Sequence, residues 1–128
     1  MFFLDTNVIS DLVSIKPDPG VLAWVASHPA RSQYISAVTV AEILYGVKLL
    51  PEGRRRMLLE REIGLLLHDA FLGRILPFDA PAAERFASIM ADRRSQGRTM
   101  SQFDGQIAAI ALSVGATIVT RATRRISI

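Results

Sequence analysis

Met1-Phe2-Phe3-Leu4-Asp5-Thr6-Asn7-Val8-Ile9-Ser10 is the stretch on which the fold turns. Its short apolar run reads as a buried strand that stops at a carboxylate. Two hydrogen-bonding residues follow. Apolar residues at 8, 9, 12 and 13 then predict a short helix over 7–14. An acid at the C-terminal end of a strand in an α/β protein stands where ligands usually bind. The rest of the chain decides whether Asp5 has company there.

Outward from this stretch, strands and helices alternate. Residues 16–20 (Lys16-Pro17-Asp18-Pro19-Gly20) form a loop by their Pro and Gly content, and a second short helix covers 21–27. Gln33-Tyr34-Ile35-Ser36 reads as a strand. Thr39-Val40-Ala41-Glu42 has the spacing of a capping box, opening a helix that runs to Leu50. A long helical stretch is expected over 52–72 and a short strand over 74–77. Asp79 is expected to cap a helix that runs to about Ser95, with Gly97 at its end. Ser101-Gln102-Phe103-Asp104 opens a helix over 103–114, Gly115 closes it, and 117–120 is a fourth strand. Residues 121–128 are too few for another β-α unit. Hairpin turns are missing from the pattern, so the expected architecture is α/β: one domain over 1–128, a central parallel sheet and helices on both faces.

Composition fits that architecture. The chain has 128 residues, 50% hydrophobic and 21% charged, enough for a real core and unlike a disordered tail or a fibre. No apolar run approaches the length of a bilayer span, and no basic segment opens a signal peptide, so no membrane partner is expected. The absence of cysteine removes disulfides and thiolate chemistry and suits the cytoplasm. Net charge is +3, carried mostly by arginine, which binds phosphate in a planar, bidentate way.

Asp5, Glu42 and Asp104 share one kind of location, at a strand end or in the first turn of the helix that follows. In a parallel sheet the strand ends lie along one edge, so three carboxylates from distant segments can converge in one crevice. Clustered carboxylates repel each other unless a cation such as Mg2+ or Mn2+ neutralises them, and metals held this way hydrolyse phosphodiesters. The competing reading is capping: Glu42 in Thr39-x-x-Glu42, Asp104 after Ser101, and Asp5 as a helix N-cap. Asp79 reads as an N-cap; Asp11, Asp18, Asp69 and Asp92 read as surface acids.

Leu4-Asp5-Thr6-Asn7-Val8-Ile9-Ser10, Ser36-Ala37-Val38-Thr39-Val40-Ala41-Glu42-Ile43 with Tyr45-Gly46-Val47, Arg74-Ile75-Leu76-Pro77-Phe78-Asp79, Asp104-Gly105-Gln106-Ile107-Ala108-Ala109-Ile110-Ala111 and Thr120-Arg121 occur in that order. Together they resemble the motifs of PIN-domain nucleases of the VapC/FitB toxin class, from Phe3 to about Arg121. The resemblance implies a Rossmann-like PIN fold and Mg2+- or Mn2+-dependent RNA cleavage. It also implies inhibition by a small antitoxin, operator DNA reached only through the antitoxin complex, and a homodimer. By position, Asp5, Glu42 and Asp104 match the metal-binding acids, and Thr6, Asn7 and Thr39 match polar neighbours that orient them. Thr120 begins the last motif.

That last motif departs from the family, which continues Thr-Arg-Asn/Asp and has a further Asp; here Ala122 and Arg125 stand instead. The chain ends at Ile128, before the family's usual last strand. The expectation is therefore a sheet without its C-terminal strand and a site of three carboxylates without a fourth. Two functions follow: a ribonuclease toxin, or a catalytically weakened PIN domain that mainly binds its antitoxin in a DNA-binding complex. Arg54, Arg55, Arg93, Arg98 and Arg121 are the candidates for gripping RNA, against the alternative of a solvated helix face. The helices around 38–50 and 57–72 are apolar over more than one face, a candidate surface for burial against a second copy or the antitoxin.

Overall fold

The computed structural model describes residues 1–120 and the backbone of residues 125–127. Its strands are β1 (Phe2–Leu4), β2 (Gln33–Ser36), β3 (Ile75–Leu76), β4 (Thr117–Val119) and β5 (Arg125–Ser127). Its helices are α1 (Thr6–Leu12), α2 (Pro19–Ser27), α3 (Ala37–Lys48), α4 (Arg54–Leu65), α5 (Ala80–Ser95) and α6 (Gln102–Ser113). The sheet order is β3-β2-β1-β4-β5, and the first four strands are mutually parallel.

Period-two alternation along the strands divides the core in two. Leu4 and Val119 face one side, where they pack with Val8 and Ile9 of α1, Val21 of α2, Ile43 and Val47 of α3 and Ile63 of α4. Phe3 and Ile118 face the other side, with Ala82 of α5 and Ile107, Ala108, Ile110 and Ala111 of α6. Each buried Leu, Ile or Phe contributes roughly 1.5–3 kcal/mol. Burial on both faces explains why the central strands are continuous apolar runs rather than alternating ones. On the second face α5 and α6 pack very closely. A Cβ on Gly105 would lie 2.7 Å from the Met90 sulfur and 3.1 Å from the Phe86 ring, so the smallest residue sits at the point of contact.

Three expectations change. The sheet does not lack a C-terminal strand: β5 pairs antiparallel with β4, Thr117 opposite Ser127 and Val119 opposite Arg125. An antiparallel return needs no crossover helix, so a segment too short for a β-α unit still supplies a strand. The long helix expected over 52–72 starts only after Gly53, whose φ of 155° favours glycine, and at Leu66–Ala70 it loosens into a π-helical turn. Helix α3 is capped by Ser36 rather than Thr39, because strand and helix meet without a loop and the Ser36 hydroxyl accepts from the Thr39 amide at 2.8 Å. The Asp79 cap is as expected, its carboxylate accepting from the Ala82 amide at 3.1 Å.

Candidate active site

Going outward from β1, the chain turns to β2 and β3 on one side and to β4 on the other. Between β1 and β4 lies the point where successive crossovers part, and a crevice opens there beyond the strand ends. Asp5 is fixed at this point from two directions. Its backbone amide donates to the Val119 carbonyl at 3.1 Å. Its carboxylate caps α1, accepting from the Val8 amide at 3.0 Å. Capping and placement at the cleft are therefore both true of Asp5.

The cleft has a volume of about 480 Å3. Asp5, Thr6, Asn7, Glu42, Asp104 and Thr120 line it, together with Asp92, Arg93 and Gln96 of α5, and Ile89, Met100, Ile107, Ala108 and Ile118 supply apolar surface. Three carboxylates from β1, α3 and α6 thus share one crevice. Burial pushes the Asp5 carboxyl above its usual value, and the negative charge of Asp104 adds to that rise; the Val8 and Asn7 amides pull against it. A cation in the crevice would relieve the mutual repulsion. The donors are all hard oxygens, the set that suits Mg2+ or Mn2+. Among the described residues no three acids stand close enough together to hold an ion by themselves.

Glu42 is not part of a cap. Its carboxylate accepts from the Thr6 hydroxyl at 2.8 Å, and Thr6 lies 3.0 Å from the Thr39 hydroxyl. The Ser36 hydroxyl donates to Thr39 at 3.1 Å. Each hydroxyl has one proton, so these distances fix a direction: Ser36 donates to Thr39, Thr39 to Thr6, and Thr6 to Glu42. Ser36 and Thr39 are fully buried, and this chain satisfies both. It joins β2, α3 and α1 and ends on the carboxylate. Thr39→Val keeps the shape and breaks the chain in the middle. We expect a loss of about 1–3 kcal/mol in denaturant unfolding. Unchanged stability would mean that the hydroxyl chain is unimportant.

The remaining expected site residues scatter. Thr39 orients from within the core and does not reach the cleft. Arg54 and Arg55 line a different groove of about 980 Å3 between α1, α3 and α4, whose walls include Ile43, Val47, Leu50, Leu58, Leu59 and Ile63. Thr6 and Glu42 line both cavities. Arg98 is exposed and lines neither. Arg93 lines the cleft. Arg121, Ala122 and the Arg125 side chain lie outside the described residues. Asp92 and Gln96 were missed as cleft residues. Their signal is spacing: 89, 92, 93 and 96 form one helical face. Asp11 is buried rather than on the surface, because its carboxylate accepts from the Asp18 amide at 2.9 Å and ties down the α1–α2 loop.

Comparison with known proteins agrees with this geometry. The profile of the PIN domain matches residues 2–126. The chain is 40% identical over 123 residues to the VapC ribonuclease Y4jK of Sinorhizobium fredii, covering 96% of this chain and 88% of that protein. Toxin FitB of Neisseria gonorrhoeae gives the same identity and coverage. The tRNA(fMet)-specific endonuclease VapC of Shigella flexneri is 34% identical over 125 residues, 96% of this chain and 87% of that one. Among solved structures, FitAB bound to a DNA fragment superposes with a TM-score of 0.88 at 40% identity, covering 96% of this chain and 86% of that one. DNA-bound VapBC of Salmonella typhimurium superposes with a TM-score of 0.73 at 26% identity, covering 99% and 93%. The family model and these relatives agree: the chain belongs to the PIN-domain family and is of the VapC/FitB type.

Proposed function

We propose that the chain is an endoribonuclease, the toxin of a toxin–antitoxin pair, and that it cuts RNA in the cleft at the ends of β1 and β4. The observation that carries this reading is the meeting of Asp5, Glu42 and Asp104, from three distant segments, in one crevice at the switch point of the sheet. The naming of relatives as VapC ribonuclease and as toxin supports it.

Asp5 and Asp104 face the same space closely enough for the charge of one to raise the proton affinity of the other, so they are the pair that would hold Mg2+ or Mn2+. Such an ion, when bound, lowers the pKa of a water and stabilises charge on the phosphate. Asp5 holds its carboxylate fixed by strand register and cap. Glu42 is aimed by the Thr6 hydroxyl, and Asp104 stands in the first turn of α6, whose cap is the Ser101 hydroxyl accepting from the Asp104 amide at 3.1 Å. Few protein donors and a shared phosphate are how Mg2+ usually binds, which suits a site with no ready-made cage among the described residues.

The apolar groove between α1, α3 and α4 suits the antitoxin, which the related FitAB and VapBC complexes carry. With the antitoxin, the chain would sit on operator DNA. The test is incubation of the purified chain with end-labelled single-stranded RNA in Mg2+ and in Mn2+. We expect internal cuts, suppressed by the antitoxin. RNA left intact in both metals would overturn the reading.

A further inference from the structure

We propose that the C-terminal half of α5 is the wall of the cleft that grips the substrate, with Arg93 holding a phosphate that flanks the one to be cut. The proposal rests on the nuclease reading above and adds where and how the strand is held. Ile89, Asp92 and Arg93 of α5, with Gln96 capping its C-terminus, recur at i, i+3, i+4 and i+7, which puts them on one face, and all four line the cleft. Asp5, Glu42 and Asp104 reach the same cleft from the end of β1, from α3 and from α6.

Charge makes this wall necessary. Four carboxylates line the cleft, and among its described lining residues Arg93 is the one cationic side chain. An RNA backbone approaching the acids is repelled, and a fixed guanidinium beside them offsets that repulsion with charge-assisted, bidentate hydrogen bonds. Arg93 is half-buried, and the ion pair among the described residues is Arg56–Glu60, so its donors are uncommitted to a protein carboxylate. Its backbone is anchored: the Arg93 carbonyl accepts from the Gln96 amide at 3.2 Å and from the Arg98 amide at 2.8 Å. The scissile phosphate belongs with Asp5 and Asp104, so Arg93, on a different element of the same cleft, meets a neighbouring phosphate of the same strand. Met100, Ile107 and Ile118 give an apolar surface for a base, and the Gln96 amide offers one donor group and one acceptor to its edge. Single-stranded RNA or a loop, whose unstacked bases can enter a crevice of about 480 Å3, is the substrate class.

Arg94, next in sequence, is exposed and lines no part of the cleft, which makes it a control of equal charge. Two measurements decide. In cleavage of single-stranded RNA, Arg93→Gln is expected to raise KM about tenfold with kcat within about twofold, and Arg94→Gln to leave both near the parent. In binding of labelled RNA without divalent metal, followed by fluorescence anisotropy, Arg93→Gln should weaken affinity about tenfold and flatten the log K against log salt slope by about 0.7. Equal losses in the two variants would show a diffuse basic surface and overturn the proposal. So would unchanged binding in Arg93→Gln, or a fall in kcat with KM unaltered. The binding measurement still decides about Arg93 if the parent cuts no RNA, a result that would remove the nuclease reading separately.

Discussion

Asp5→Asn is expected to slow RNA cleavage about a thousandfold while leaving the fold intact. On the proposed mechanism, the rate loss is the several kcal/mol of charge stabilisation that a carboxylate-held cation would supply to the reacting phosphate. The fold survives because asparagine caps helices as well as aspartate and can still accept from the Val8 amide. The strand contact survives too, since it uses the Asp5 backbone amide and the Val119 carbonyl. Asp5→Ala, by contrast, loses charge and cap together and should cost about 1 kcal/mol as well. The pair separates chemistry from structure. Metal-free stability gives a further check. Burial and Asp104 raise the folded-state pKa of Asp5 above its usual 3.8. Its contribution to stability is therefore complete below 3.8 and is lost as pH rises through the raised folded value. The parent should lose stability across that window, and Asp5→Asn should lose less. An Asp5→Asn protein that cleaves as fast as the parent would remove Asp5 from the reaction.

Chelation of divalent cations is expected to abolish cleavage completely, and Mg2+ or Mn2+ to restore it. Without RNA the ion should bind weakly, since no three described acids form a cage and a phosphate completes the coordination. A concentration ten times the Kd stabilises the folded chain by only about 1.4 kcal/mol, readable as a modest rise in Tm. An uncleavable RNA analogue should tighten the ion, and the ion should tighten the analogue by the same factor, because linkage is reciprocal. Asp104→Asn should blunt both effects. Cleavage that continues at full rate in excess chelator would refute a metal-assisted mechanism.

Much of this was legible before the structure. The parallel sheet follows from the spacing of strands and helices, and the meeting of Asp5, Glu42 and Asp104 in one cleft follows from their places at a strand end or in the early turns of a helix. What the sequence hid was partnership across distance. Glu42 fits a capping box by local pattern, and only its bond to Thr6, 36 residues away, shows otherwise. Ser36 and Thr39 are both hydroxyl residues able to cap; which one does so depends on whether a loop separates β2 from α3. Asp92 looks like one more charge on a mixed helix until α5 docks against α6 and turns that face to the cleft. β5 was missed because antiparallel pairing depends on the partner strand, not on a signal within the last residues.

The bond from the Asp5 amide to the Val119 carbonyl has a bearing on how such a chain can change. It places Asp5 by counting residues along a strand whose neighbours, Phe3 and Leu4, alternate between two separate cores. One inserted or deleted residue in that strand would exchange the two faces as well as displace the acid, and the protein would not fold. Replacing the acid disturbs neither core. Descendants of this chain can therefore lose the carboxylate in a single step and remain folded, while no small step can move it elsewhere along β1.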